Sequence, residues 1–247
     1  MARIRLDQAL VQKALCPSRE QAKRLILAGE VSVDGHPATK PGLLVAEEAD
    51  LRVKTPPKFV SRGGLKLEGA LDRFAIDVAG KVCLDIGSST GGFTDCLLQR
   101  GARKVFAFDV GTNQLAWKLR SDPRVVSREH FNVRHMQPQD VGETVDVLVA
   151  DVSFISLALV LPAALAVVKP GGDCIVLVKP QFELSREEVG RGGIVREPAL
   201  HQKACAKIES FVRGDSRLEW KHLMASPVTG ADGNHEFLAW FKIRPVP

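Results

Sequence analysis

The chain has 247 residues, 45% of them hydrophobic, which is enough for a sizeable core and long for one domain. Its formal charge of +5 lies wholly in residues 1–66, where twelve Lys and Arg face seven Asp and Glu, while residues 67–247 hold 22 of each. Such asymmetry points to a polyanion-binding module attached to a neutral domain. The five cysteines form no C-x-x-C pair, which argues against a zinc site or a disulfide frame and fits a reducing, cytoplasmic setting.

In chain order, Arg3, Arg5 and Asp7 interrupt any apolar N-terminal run, so no signal peptide is expected. Leu6, Ala9, Leu10 and Lys13 follow the i, i+3, i+4, i+7 spacing, predicting a helix over 3–15. Pro17 and Ser18 break it, and Ser18 is a good cap for a second helix over 19–28. That helix carries Arg19, Lys23 and Arg24 on one side and Ala22, Leu25 and Ile26 on another. Gly29 stops it, and Val31–Val33, a turn at Asp34-Gly35 and a strand over 50–53 follow.

Two small basic helices and a V-x-V-D-G hairpin resemble the S-four RNA-binding module. The carrying residues are Arg5-Leu6-Asp7, Ser18-Arg19-x-x-Ala22-Lys23 and Val31-x-Val33-Asp34-Gly35. The resemblance implies a cationic surface for structured RNA, with Arg3, Arg5, Arg19, Lys23, Arg24 and, beyond the linker, Arg62 at phosphates. Thr55-Pro56-Pro57-Lys58 reads as a stiff linker. The expected division is an α+β S-four-like domain over 1–54, a linker over 55–60 and a second domain over 61–247.

In the second domain, Leu67, Leu71 and Phe74 form the apolar side of a helix over 65–74. Strands over 81–85, 104–109, 124–127, 145–150 and 174–179 alternate with helices over 93–100, 112–119 and 153–168. This predicts a parallel sheet covered on both faces. The uncharged run 152–168 contains Pro162 and falls short of the ~20 residues that cross a bilayer, so it reads as a buried helix. After a helix over 199–213, strands over 218–225 and 236–243 make a hairpin. The fold class is therefore α/β, a mostly parallel Rossmann-like sheet with a terminal antiparallel hairpin, the class I methyltransferase layout.

The first strand of that domain runs into Asp85-Ile86-Gly87-Ser88-Ser89-Thr90-Gly91-Gly92-Phe93, a strand-to-helix turn that makes a backbone nest for a ligand. Ser89 stands where the dinucleotide fingerprint needs glycine, which disfavours redox dinucleotides and suits S-adenosylmethionine. Asp109, with Val110 beside it, falls where such folds bond ribose hydroxyls. Asp151 and Lys179 end two further strands and face the same crevice, and Lys66 and Glu236 complete a Lys-Asp-Lys-Glu set. Asp151-Val152-Ser153-Phe154 lacks the prolines used to grip a base for amino methylation, and no cysteine lies near for carbon methylation. A hydroxyl acceptor remains, and a lysine serves it as base or as oxyanion stabiliser. Residues 184–198, with no clear period, are expected to be a mobile flap over the acceptor pocket.

Six further stretches make the chain resemble the TlyA family of hemolysin A-like ribosomal RNA ribose methyltransferases, an S-four domain followed by an FtsJ-type domain. They are Ser61-Arg62-Gly63-Gly64-x-Lys66-Leu67, Asp85 to Asp95, Asp151 to Ser156, Val178 to Glu183, Gly192 to Arg196 and Gly233-Asn234-x-Glu236-Phe237. The resemblance implies a catalytic tetrad of Lys66, Asp151, Lys179 and Glu236, and cofactor contacts at Asp85, Gly87, Ser88, Ser89, Thr90, Gly91, Gly92, Phe93, Asp109, Val110 and Asp151. It implies S-adenosylmethionine as methyl donor and cytidine riboses of ribosomal RNA, in the small subunit, the large subunit or both, as acceptors. A membrane-active hemolysin and a non-catalytic ribosome-binding protein are the competing expectations.

Overall fold

The computed structural model describes residues 3–54 and 57–245, and the chain forms two compact units, residues 1–57 and 58–247. The first contains β1 (Arg3–Arg5), α1 (Leu6–Gln12), α2 (Arg19–Leu27), β2 (Val31–Val33), β3 (His36–Pro37), β4 (Leu44–Ala46) and β5 (Leu51–Val53). Its core is Leu6, Leu10, Ala22, Ile26 and Val31. Ser18 caps α2, its side chain accepting from Gln21 N at 3.3 Å. The helix expected over 3–15 is shorter, because Arg3–Arg5 pairs antiparallel with Leu44–Ala46 through Ile4 and Val45. A three-residue edge strand with one half-buried apolar residue has too little period to announce itself.

The second unit begins earlier than the expected linker end at 60. Phe59 is buried in its core, Lys58 pairs with Glu68 at 2.6 Å, and Val60 N donates to Asp95 at 2.8 Å. Thr55 and Pro56 of that linker lie outside the described residues. This boundary redistributes the charge. Residues 1–57 hold nine Lys and Arg against seven Asp and Glu, and Lys58, Arg62 and Lys66 belong to the second unit.

That unit contains α3 (Gly63–Phe74), β6 (Val82–Ile86), α4 (Gly92–Gln99), β7 (Lys104–Phe108), α5 (Trp117–Arg120), β8 (Val125–Arg128), α6 (Pro138–Val141) and β9 (Val145–Ala150). It continues through α7 (Leu157–Leu165), β10 (Val168–Val178), α8 (Pro180–Glu183), α9 (Pro198–Gly214), β11 (Leu218–Ala225) and β12 (Phe237–Ile243). The seven strands are ordered β11-β12-β10-β9-β6-β7-β8; β12 is antiparallel to both neighbours and the other pairings are parallel. The order reverses between β6 and β9, where open α/β sheets place ligands beyond the carboxyl ends of the strands.

Side-chain parity divides the two core faces. Leu84, Ile86, Leu148, Ala150, Val176 and Val178 pack with α7 and α9, whereas Cys83, Val147, Val149, Ile175, Leu177 and Leu238 pack with α3 and α4. Two helices are shorter than their periodicity predicts. Residues 113–115 turn their N–H groups to the Glu129 carboxylate instead of a helical ladder, leaving only Trp117–Arg120 helical. The stretch 151–156 is irregular, and α7 starts after Ser156, whose hydroxyl accepts from Ala158 N. In the other direction β10 begins at Val168, six residues before the expected start, with a register irregularity between Val168 and Asp173.

Candidate active site

Parity builds the site. Asp85 continues Cys83, Asp151 continues Val147 and Val149, Lys179 continues Ile175 and Leu177, and Glu236 precedes Leu238, all on the face that carries α3 and α4. Lys66, from the first turns of α3, meets them there. The four tetrad residues form two ion pairs: Lys66 Nζ to Glu236 Oε2 at 2.5 Å, and Lys179 Nζ to Asp151 Oδ1 at 2.6 Å. The first is buried, with side chains 10% and 4% exposed. In the second, Asp151 lies off the line of a hydrogen bond, and Lys179 donates instead to Ser153 Oγ at 2.8 Å. A Cβ at Gly230 would lie 2.7 Å from Glu236 Oε1, so the hairpin loop needs glycine to admit that carboxylate.

All four residues line one cavity of about 280 Å³, together with Arg62 and the turn residues Gly87, Ser88, Ser89, Thr90, Gly92 and Phe93. Gly87, Ser89, Asp151 and Ser153 also line a crevice of about 1090 Å³, which runs past Asp109 and Val110 on one side and Phe154, Gln181 and Arg186 on another. Gly87 has φ +76, and a Cβ there would stand 2.4 Å from the Asp151 carbonyl oxygen. A side chain at that position would close the passage between strand ends. Asp109 accepts from Ser89 N at 2.8 Å and Gly111 N at 2.6 Å, which fixes its carboxylate beside the turn.

Two expected cofactor residues line neither cavity. Gly91, at φ +96, packs against Leu115 and Leu119. Asp85 is fully buried beneath the turn, accepts from Thr94 Oγ1 at 2.6 Å and keeps one oxygen without a donor. Burial pushes its pKa up to about 7, with the nearby Asp151 and Asp109 carboxylates adding to the rise and Thr94 opposing it. The donor set fits S-adenosylmethionine. Carboxylates at Asp109 and Asp151, which line the crevice, repel a pyrophosphate and favour a ligand with a sulfonium and an ammonium group. All five cysteines are buried, and desolvation drives the Cys83, Cys96 and Cys205 thiols up to about 12, so none is poised as a nucleophile.

The expected RNA residues divide. Arg3, Lys23 and Arg24 are exposed. Arg5 and Arg19 are half-exposed and both clamp the buried Asp7, at 3.1 and 3.0 Å, so part of their role is structural. Among the described residues of the second unit, most Lys and Arg have a carboxylate within 4 Å; Arg62, Arg73, Arg134, Arg186, Arg196 and Arg244 do not. Three of these, Arg62, Arg134 and Arg186, line the two cavities. Sequence reasoning did not single out Arg134 or Arg186, and it gave no site role to Ser153, Phe154 or Gln181, which it quoted only as parts of motifs. Phe154 is 91% exposed at φ +64, and its ring lies 5.1 Å from that of Phe182. Bulky residues with positive φ are rare, and here one holds an aromatic out at a cavity mouth. Within 184–198, Leu184, Arg186 and Val189 line the crevice, whereas Gly193 and Val195 are tied down by the Asn234 side chain at 2.9 Å each.

The FtsJ-like methyltransferase model matches residues 59–243, and the S4 domain model matches residues 4–51. The 16S/23S rRNA (cytidine-2'-O)-methyltransferase TlyA of Mycobacterium tuberculosis is 48% identical over 97% of this chain and 90% of its own. Hemolysin A of Brachyspira hyodysenteriae is 42% identical over 97% of this chain and all of its own. A solved hemolysin-type protein from Streptococcus thermophilus is 44% identical, covers 100% of this chain and 90% of its own, and superposes with a TM-score of 0.74.

Proposed function

The chain belongs to the FtsJ-like methyltransferases, in the TlyA family with its N-terminal S4 domain, and from that premise we propose that it methylates the 2'-hydroxyl of a cytidine in ribosomal RNA with S-adenosylmethionine as donor. The observation that carries this reading is the pair of lysine–carboxylate bridges on one wall of a cavity beside a carboxylate-rich turn. A ribose hydroxyl is a weak acid and needs an amine at its oxygen. Lys179, held by Ser153 and Asp151 at a strand end, is that amine; it takes the proton or stabilises the developing oxyanion. Lys66 and Glu236, locked to each other, orient the ribose across the same cavity. When bound, S-adenosylmethionine supplies an electrophilic methyl group, and Gly87–Gly92, Asp109 and Asp151 are the residues that would hold it.

Arg3, Lys23 and Arg24 supply phosphate contacts on the first unit, and Arg62, Arg134 and Arg186 supply them at the cavity mouth. Phe154 offers an unstacked base an aromatic face. Residues 184–189 close on the bound RNA while 193–195 stay anchored to Asn234. No helix among the described residues is long and apolar enough to cross a membrane, and the hemolysin name belongs to the relatives.

The test is transfer of labelled methyl groups to purified ribosomal subunits, followed by digestion to nucleosides. The reading expects 2'-O-methylcytidine; label in a methylated base, or none, would refute it.

A further inference from the structure

Residues 151–156 carry Asp151, Ser153 and Phe154 past the strand ends, and their path decides where the partners of Lys179 stand. Among the described residues, the backbone of 152–155 makes no hydrogen bond to other backbone. Val152 and Ile155 rest on the core, and Asp151 N donates to Ile86 O at 2.9 Å, which fixes the start of the segment. Its far end is fixed by one side chain. The Glu183 carboxylate, 1% exposed, accepts from Ser156 Oγ at 2.5 Å and from Leu157 N at 2.7 Å. Lys207 holds the same turn from α9, donating to the Glu183 carbonyl at 2.6 Å and lying 3.2 Å from its carboxylate.

The amino end of α7 does not itself call for this carboxylate. Ser156 already caps it through Ala158 N, and a buried charge is costly unless it is paired and bonded. What Glu183 adds is a tie between two strand ends. It closes the turn that Lys179 opens, and Ser156 closes the segment that Asp151 opens, on the neighbouring parallel strands β10 and β9. Lys179 meets Asp151 at one end of this ring and Glu183 meets Ser156 at the other. The rings of Phe154 and Phe182 lie between, 5.1 Å apart.

We infer that Glu183 is a positioning residue for methyl transfer. By clasping Ser156 and Leu157 it sets the path of 151–156, and so the place of the Ser153 hydroxyl that aims Lys179 and of the Phe154 ring. Glu183 lines neither cavity, so it acts only through these residues. This rests on the ribose-methylation reading. In-line displacement at a methyl group depends on alignment, and a shift of about 1 Å caused from a distance costs ~10²-fold. Glutamine at 183 keeps the clasp, its oxygen accepting from Leu157 N and its nitrogen donating to Ser156 Oγ. Alanine opens it.

The test is single-turnover methyl transfer to ribosomal subunits lacking the modification, expressed per folded molecule, for Glu183→Ala, Glu183→Gln and Ser153→Ala. The inference expects Glu183→Ala to be about 10- to 100-fold slower at saturating subunits, with S-adenosylhomocysteine affinity unchanged. Glu183→Gln should stay within a few-fold of the wild type. In a Ser153→Ala background, Glu183→Ala should cost far less, since both act through one contact. A purely structural clasp would give Glu183→Ala a wild-type rate per folded molecule, and that result overturns the inference. So does a Glu183→Gln rate as low as that of Glu183→Ala, or full additivity with Ser153→Ala. Should Glu183→Ala not fold, Ser156→Ala opens the clasp from the loop side. Slowed transfer that Ser153→Ala absorbs then supports the inference, and a wild-type rate overturns it. Absence of transfer by the wild type would instead fail the underlying reading.

Discussion

The two edges of the seven-stranded sheet are built from the same residue types and treat them differently. At the amino-terminal edge the buried carboxylates are partnered: Asp173 accepts from Trp240 Nε1 at 3.0 Å and lies near Lys81 and Lys242, and Asp146 accepts from Val82 N and pairs with Lys169. At the carboxyl edge stand a buried Asp85 oxygen without a donor, the cavity-lining arginines without carboxylates, and Ser89 and Phe154 at positive φ. Full satisfaction at one edge stabilises the fold. Incomplete satisfaction at the other is affordable only because the first exists, and it marks where ligands complete the bonding.

That contrast is open to direct attack. Lys179→Ala should cost the most, ~10²–10⁴-fold in single-turnover rate, with donor and RNA affinity near wild type. Lys66→Met strands a buried Glu236 and should cost ~3–5 kcal/mol of stability by denaturant unfolding. Adding Glu236→Met should restore folding and leave turnover lost; recovered turnover would make the pair purely structural. Asp109→Ala should weaken S-adenosylhomocysteine binding about tenfold by calorimetry, as loss of a charge-assisted bond does. Unchanged affinity would remove Asp109 from the site.

The smallest effect is a pH dependence. Buried Asp85 stays protonated up to about 7 in the folded state, while the unfolded chain releases that proton near ~4. Between those values the unfolded state binds fewer protons, so stability falls as pH rises. Asp85→Asn should flatten that fall in melting temperatures of the ligand-free protein; an identical slope would mean another group titrates.

Much of this edge was legible in the sequence. Strand periodicity placed β6, β7, β8, β9 and the β11–β12 hairpin within one or two residues, and strand ends put Asp151 and Lys179 in one crevice with Asp85 and Asp109, while Lys66 and Glu236 came from the family resemblance. The pairing inside the tetrad was not legible, because residues 66 and 236 meet only through the antiparallel return of β12 to β10. Nor was the loop over 111–116, whose N–H groups are claimed by a side chain fourteen or more residues away. Of the cavity-lining arginines, Arg62 was named from the sequence, whereas Arg134 and Arg186 were hidden for a related reason. Net charge by sequence position counts them equally with paired ones, and only the folded chain shows which cations lack partners.

The most direct measurement sets one lesion at each edge side by side: Lys179→Ala and Asp173→Ala, each assayed for single-turnover methyl transfer to ribosomal subunits and for unfolding free energy. The account predicts that Lys179→Ala loses transfer and keeps its stability, whereas Asp173→Ala loses ~1–3 kcal/mol of stability and keeps the rate per folded molecule. Transfer by Lys179→Ala near the wild-type rate, or loss of chemistry by a stably folded Asp173→Ala, would contradict it.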